Sequence, residues 1–320
     1  MTSAARTARR RLIATAAATA VAALAVRAGA QPAPPVELQR VSEHCWFVQG
    51  LAALGTRENR NFISNAGVVV TPAGVVLVDA LGSPALAREL LAAIARVARQ
   101  PVTHAVVTHY HADHVYGLAE LRRAGATVVA HASAREYLGS ETAPLRLRTS
   151  IEEGLTEPGT TLVAADRWLE ADTTLELGGV RLRLVHVGPA HTPEDLAVAV
   201  EPDGVLFAGD LVFRGRVPFV GTADSRRWIA SLDRMLALAP RVIVPGHGPV
   251  SHDARADLQL TRDYLAYLRQ TMGRAAREMQ PFDDAYAATD WSRYESLPLF
   301  RMANRINAYN TYLLMEQQRE

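Results

Sequence analysis

Three histidines and one aspartate occupy four of the six residues 109–114, whose sequence is HYHADH. Imidazole nitrogen and carboxylate oxygen together form a ligand set typical of zinc, and iron and manganese accept similar sets. A polar loop that is rich in histidine by chance is the alternative, and so dense a cluster disfavours it. The segment therefore predicts a metal site.

The spacing divides these ligands into two groups. Residues 104–108 predict a strand, so His109 and His111 follow its end two positions apart. Side chains two residues apart on extended backbone point to the same side, and both imidazoles can reach one cation. Asp113 and His114 fall in the turn before a predicted helix and can face a second cation. Four ligands are too few for two ions, so others must come from elsewhere.

Three later strand ends carry side chains of the required kind: His191, Asp210 and His247. Asp210 directly follows a predicted buried strand and is placed to bridge two metals. His247 lies between two glycines, which let the backbone approach the site closely. Upstream, Asp79 also ends a predicted strand.

These residues are similar, in order, to the five motifs of the metallo-β-lactamase superfamily: Asp79, residues 109–114, His191, Asp210 and His247. The resemblance covers roughly residues 36–250. It implies an α/β fold in which two β-sheets and two helical layers form a four-layer αββα sandwich, here followed by C-terminal helices.

The resemblance also implies a role for each residue. The first zinc ion would take three histidines as ligands: His109, His111 and His191. The second would take one aspartate and two histidines: Asp113, His114 and His247. Asp210 would be shared between the two ions, and Asp79 would orient a ligand through a hydrogen bond.

The function that this implies is zinc-dependent hydrolysis of a small-molecule substrate. The catalytic residues would be Asp113 and Asp210, either of which would orient a hydroxide that bridges the two zinc ions and attacks a carbonyl carbon. Members of the superfamily cleave thioesters, lactones, β-lactams and sulfate esters, and the sequence leaves the bond open. One β-lactamase subclass has a zinc-bound cysteine where this chain has Asp210, which disfavours that subclass.

Two further interpretations stay open. The surroundings of Tyr110 and residues 115–117 resemble periplasmic metallohydrolases found beside sulfur-oxidation and quinoprotein systems. Persulfide dioxygenases share the HxHxDH motif but bind one iron, so a mononuclear iron oxidoreductase is an alternative. A non-catalytic metal-binding protein is another, although the complete set of ligand motifs argues against it.

The N-terminal residues predict export from the cytoplasm. Arg9 and Arg10 precede an apolar run at residues 12–26, and a small-x-small sequence ends at Ala30. This is the pattern of a signal peptide, here of the twin-arginine type, at residues 1–30. We therefore expect a periplasmic mature protein. A membrane anchor is the weaker interpretation, because the run is short and rich in alanine.

Charge and cysteine content exclude some classes of partner. The 34 basic and 33 acidic residues give a net charge of +1, and removing residues 1–30 takes away five arginines and no acid, so +1 − 5 = −4. This charge predicts no basic surface for nucleic acid. The only cysteine, Cys45, cannot form an internal disulfide. The oligomeric state is not predicted.

The mature chain divides into a catalytic domain at residues 31–250 and a helical extension at residues 251–320. Strand-rich segments at residues 37–80 and 160–210 are each followed by a predicted helix, which favours two sheets packed on each other. We expect the extension to pack against the domain. The alternative is that some of its aromatic and polar residues line a substrate pocket: Trp291, Tyr294, Asn304, Arg305, Asn307 and Asn310.

Two questions about the site depend on geometry. His131 follows a predicted strand and is a candidate ligand, although such a residue is more often a hydrogen-bonded neighbour. Arg146 and Arg148 are candidates to hold an anionic group of the substrate. Their arrangement cannot be read from the sequence.

Replacing Arg9 and Arg10 with lysine should hold the precursor in the cytoplasm, because the twin-arginine route reads this arginine pair. Cell fractionation followed by immunoblotting measures the exported share, with the unsubstituted precursor as the control. An unchanged periplasmic yield would instead indicate the general secretory route.

Overall fold

Two β-sheets pack face to face between helices in this protein. The structure, a computed structural model, describes residues 33–201, 203–221 and 223–318; the predicted signal peptide at residues 1–30 lies outside this part of the chain. Helices cover the outer face of each sheet, so the layers follow the order αββα. The predicted fold class is thus confirmed.

The first sheet follows chain order across its described strands. They are β1 (Gln39–Arg40), β2 (Cys45–Val48), β3 (Ala66–Thr71), β4 (Gly74–Val78), β5 (Val102–Val106), β6 (Thr127–His131) and β7 (Arg167–Leu169). Strands β1 to β4 are antiparallel, and β4 to β7 are parallel. The carboxyl ends of β4 and β5 therefore meet at one edge, where Asp79 and residues 109–114 follow them.

The second sheet has the order β12-β11-β10-β9-β8. Its strands are β8 (Thr173–Leu177), β9 (Val180–His186), β10 (Leu196–Glu201), β11 (Val205–Phe207) and β12 (Val242–Val244). Strands β11 and β12 are parallel, and the other pairs are antiparallel. The ends of β9, β11 and β12 lead to His191, Asp210 and His247, so three more predicted ligands reach the same region.

The helices differ in length and position. They are α1 (Pro84–Val97), α2 (Ala112–Val115), α3 (Leu118–Arg123), α4 (Ala134–Leu138), α5 (Thr142–Glu152), α6 (Ser225–Ala237), α7 (Ala254–Arg277), α8 (Phe282–Ala288) and α9 (Phe300–Gln317). Helix α1 begins with Pro84 after the cap Ser83, whose side chain accepts a hydrogen bond from the Leu86 N–H. No described helix is long and apolar enough to cross a bilayer.

Apolar side chains fill the space between the sheets. Val69 and Val106 of the first sheet share this core with Leu184 and Phe207 of the second. Cys45 lies in the same core with no exposed surface, and burial raises the pKa of its thiol to about 12. The single cysteine is thus a buried, protonated packing residue.

The structure departs from the sequence predictions in three places. Strand β5 ends at Val106, so His109 and His111 lie on loop backbone beyond it. Strand β7 joins the first sheet, although its residues lie in the segment assigned by sequence to the second half. Helices α4 and α5 were not predicted from the sequence.

The C-terminal helices pack on the second sheet through α6 and α7. Asn307 on α9 is fully buried: its amide donates to the Pro218 carbonyl at 2.6 Å and to the Tyr264 hydroxyl at 2.9 Å, and its Oδ1 accepts from the Val220 N–H at 2.9 Å. The Tyr264 hydroxyl donates in turn to Asn304 Oδ1. These contacts fit the packing interpretation and leave neither asparagine free to line a substrate pocket.

Asn307→Ala should lower the free energy of unfolding by about 2–4 kcal/mol, because it leaves the buried Pro218 carbonyl and Val220 N–H without a partner. Urea denaturation followed by circular dichroism measures the change. Arg301→Ala, at an exposed position of the same helix, is the matched control. Equal stability of the two variants would contradict the role given to Asn307.

Candidate metal centre

Four side chains converge where β5, β9 and β11 end. His109, His111, His191 and Asp210 each offer one ligand atom, and all four atoms lie within 4.8 Å of one another. His191 Nε2 is 3.0 Å from His111 Nδ1 and 3.6 Å from Asp210 Oδ2. His109 Nε2 is 3.8 Å from the same carboxylate oxygen. This first group matches the set predicted for one metal ion, together with the shared aspartate.

A second group lies beside the first. Asp113, His114 and His247 likewise offer three ligand atoms within 4.8 Å of one another. His247 Nε2 and His114 Nε2 lie 3.4 Å and 3.6 Å from Asp113 Oδ2. Asp210 reaches this group too, with Oδ2 3.2 Å from His247 Nε2 and Oδ1 3.2 Å from His114 Nε2. One carboxylate therefore lies between the two groups.

Hydrogen bonds at the outer ring nitrogens orient two histidines toward the site. His247 Nδ1 lies 2.7 Å from the Ile63 carbonyl oxygen, which can only accept, and 3.3 Å from Arg216 Nη1, which can only donate; the shorter contact favours the proton on this nitrogen. His114 Nδ1 donates to Asp79 Oδ2 at 2.8 Å. In both rings Nε2 is therefore the nitrogen that faces the carboxylates, and it can bind a metal when it carries no proton.

Asp79 is linked by hydrogen bonds to one histidine of each group. It is buried with a left-handed backbone (φ 66°), and its carboxylate accepts from the Thr108 N–H, the Thr108 hydroxyl and His114 Nδ1, each at 2.8 Å. Thr108 Oγ1 is also 3.0 Å from His109 Nδ1. The orienting role expected for Asp79 thus extends to one histidine of each group. Sequence reasoning missed Thr108, although it directly precedes the motif.

Several ligand atoms are buried without a partner. His109 and His114 have no exposed surface, and their Nε2 atoms, like Asp210 Oδ1, form no hydrogen bond with the described residues. Leaving a buried polar atom unsatisfied costs free energy. A divalent cation that accepted their lone pairs would satisfy them together, so these residues fit a metal.

The charge states also suit metal binding. Burial and the neighbouring imidazoles lower the pKa of His109, and burial with the charge of His191 lowers the pKa of His111 to about 3. Burial would raise the pKa of Asp210, but the charges of His247 and His114 hold it well below its usual range. Neutral imidazole and ionised carboxylate are the ligating forms.

His114 differs from the histidines of the first group. Burial alone would lower its pKa, but the carboxylates of Asp210, Asp113 and Asp79 raise that pKa well above its usual range. Without a metal, the three carboxylates therefore favour a second proton on this ring. A metal ion that binds the ring must displace that proton, so binding is coupled to proton release.

Two glycines give the backbone the room that the site needs. A Cβ atom on Gly246 would lie 2.1 Å from Asp210 Oδ1, so a side chain there would displace the carboxylate between the groups. Gly248 has φ +96°, and a Cβ atom there would meet the Arg214 carbonyl oxygen at 1.9 Å. The close approach predicted for the glycines around His247 is confirmed.

A pocket of about 340 Å³ opens onto the first group. His111 and His191 form part of its wall, and Tyr137 and Arg146 of α4 and α5 form another part. A small molecule in this pocket would contact the ligand side chains directly. The helices that sequence reasoning missed therefore shape the space beside the metal centre.

His131 belongs to neither group of ligand atoms. Its ring stacks on that of His186 with the centroids 3.5 Å apart and the planes 5° from parallel. His131 Nδ1 accepts a hydrogen bond from the Ser133 N–H, and His186 Nε2 lies 3.0 Å from the Pro193 carbonyl oxygen. The stacked pair brings the ends of β6 and β9 into contact, and its hydrogen-bond partners Ser133 and Pro193 line the pocket.

Arg216 was also missed by sequence reasoning. It is only 2% exposed, and its guanidinium lies over the rings of Phe213 and Phe219 at 5.4 Å and 5.0 Å. Burial lowers its pKa, and the carboxylates of Asp210 and Asp113 partly offset this. A buried guanidinium therefore lies beside His247 of the second group.

The chain belongs to the metallo-beta-lactamase superfamily, whose sequence profile matches residues 59–247. A metallo-beta-lactamase type 2 from Bacillus sp. (strain 170) is 29% identical over 220 residues, which are 67% of this chain and 77% of that relative. A linear primary-alkylsulfatase from Pseudomonas sp. (strain ATCC 19151) is 24% identical over 238 residues, 63% of this chain and 45% of the relative.

A solved structure of a metallo-beta-lactamase from Pontibacter korlensis has a TM-score of 0.57 and 26% sequence identity. The alignment covers 72% of this chain and 98% of that one. The two proteins therefore share the fold over almost the whole of the smaller chain.

His111→Ala and Asp210→Ala should each reduce the metal content of the purified protein, because each removes a ligand atom while the loops at the sheet edge keep the fold intact. We expect turnover to fall by orders of magnitude. Elemental analysis and circular dichroism measure metal content and folding. His131→Ala is the control and should cost far less; if it abolished metal binding while His111→Ala did not, the ligand assignment would be wrong.

Proposed function

We propose that this protein is a zinc-dependent hydrolase that holds two metal ions. The observation that carries the proposal is the position of Asp210, whose two carboxylate oxygens lie 3.2 Å from nitrogens of His114 and His247 and within 3.8 Å of His109 and His191. A carboxylate so placed can serve two cations at once. The mixed histidine and aspartate ligands favour zinc, and iron or manganese could bind the same set.

Zinc ions bound here would supply a hydroxide at neutral pH and polarise the carbonyl group of the substrate. The protein's own residues set the geometry. Asp113 and Asp210 are the acceptors nearest to both groups and would orient the proton of the attacking water. Asp79 holds the ring of His114 in place, and the pocket beside His111 and His191 would position the substrate.

The bond that we favour for cleavage joins a carbonyl carbon to sulfur, oxygen or nitrogen, as in a thioester, lactone or β-lactam. Similarity to the type 2 metallo-beta-lactamase supports acyl chemistry. Asp210 at the cysteine position of one β-lactamase subclass points away from that subclass and toward thioesters and lactones. Similarity to the alkylsulfatase supports a second candidate, hydrolysis of a sulfate ester.

We further propose that the protein acts in the periplasm, on the basis of the arginine pair and apolar run within residues 1–30. A small molecule is the expected partner, since the pocket of about 340 Å³ suits one.

The purified mature protein should contain close to two zinc ions and should lose them together with activity on chelation, because the two ligand groups share Asp210. Elemental analysis measures the metal. A hydrolysis screen across nitrocefin, S-lactoylglutathione, a homoserine lactone and an alkyl sulfate identifies the bond. A single tightly held iron with no zinc would contradict the proposal and favour the iron oxidoreductase.

A further inference from the structure

Arg146 is an unpaired cation on the wall of the pocket. Among the described residues that line this pocket it is the only arginine, and no described residue forms an ion pair or hydrogen bond with it. Two exposed arginines elsewhere on the first sheet's side of the protein are paired, Arg88 with Glu120 and Arg122 with Asp166. A free guanidinium beside a pocket is suited to bind an anion, because its N–H groups match the oxygens of a carboxylate or sulfate.

The charge of the same guanidinium acts on two tyrosines, one of which shares the pocket wall. Tyr137 lines the pocket, whereas Tyr116 is buried beside Ser150 and does not line it. Burial raises the pKa of both tyrosines, and the positive charge of Arg146 partly offsets the rise. The Tyr137 hydroxyl therefore stays protonated and can donate to an anion in the pocket.

The acidic residues of the pocket do not neutralise Arg146. Glu194 is buried, its Oε1 accepts a hydrogen bond from the Tyr110 N–H, and burial raises the pKa of its carboxyl group. Glu136 is exposed and forms no ion pair with Arg146 among the described contacts. The positive charge is thus available to a ligand.

Arg146 is also close to the metal centre. It lines the pocket together with His111 and His191, and its charge is among those that lower the pKa of His111. One small molecule could therefore contact the ligand side chains at one end and the guanidinium at the other.

We propose that Arg146, with Tyr137 on the same pocket wall, forms a subsite for an anionic group of the substrate. The group is a carboxylate or another small oxyanion, and the bond to be cleaved lies toward His111 and His191. This inference rests on the proposed hydrolase function and adds to it a substrate class, molecules that carry a negative charge beside the reactive bond. Selectivity would then come from α5, outside the strand ends that supply the metal ligands.

The test is a binding measurement with metal-binding thiols. Isothermal titration of the zinc-loaded protein would compare ω-mercaptocarboxylates of two to six carbons with the corresponding amides. The thiol tests the metal centre, and the difference between carboxylate and amide tests the subsite. Arg148→Ala is the matched control for Arg146→Ala, because Arg148 is exposed on the same helix and does not line the pocket.

At one chain length the unsubstituted protein should bind the carboxylate roughly tenfold more tightly than the amide. Arg146→Ala should abolish this preference without weakening amide binding, and Arg148→Ala should keep it. Equal affinity for carboxylate and amide at every length, or equal effects of the two substitutions, would overturn the subsite alone. Failure of every thiol to bind would overturn the metal centre and the subsite with it.

Discussion

The buried carboxylate of Asp79 is the constraint on which both ligand groups depend. Its hydrogen bonds hold His114 of one group directly and His109 of the other through Thr108. A backbone in the left-handed region is unfavourable for an aspartate, and here three hydrogen bonds to the carboxylate compensate for it. Because one anion fixes imidazoles in both groups, the spacing between the groups is set before any ligand or substrate arrives.

The remaining geometry follows from where the strands end. Parallel pairing of β4 with β5, and of β11 with β12, brings four chain segments to one edge, and the glycine at position 246 lets the last of them approach Asp210. The core between the sheets is apolar, and the buried side chains of His109, His114 and Asp210 lie at its edge. Fold and site are therefore consequences of the same strand order.

Much of this could be predicted from the sequence, because strand ends are marked by apolar runs that stop at a polar residue. That pattern identified His191, Asp210 and His247, which the structure brings together with residues 109–114. Helix α5 escaped prediction because it buries only Ala143 and Ser150, so it has no apolar stripe to recognise. The partners of Thr108 and the position of Arg146 on the pocket wall depend on contacts between distant segments, which spacing along the chain does not encode.

The ligand atoms come from both halves of the sandwich. His109, His111, Asp113 and His114 follow the first sheet, whereas His191, Asp210 and His247 follow the second. A cation bound by either group would act as a cross-link between the two sheets at their exposed edge. The thermal stability of the folded protein would then rise with the free metal concentration. Metal supply would therefore affect how much of the protein stays folded as well as its chemistry.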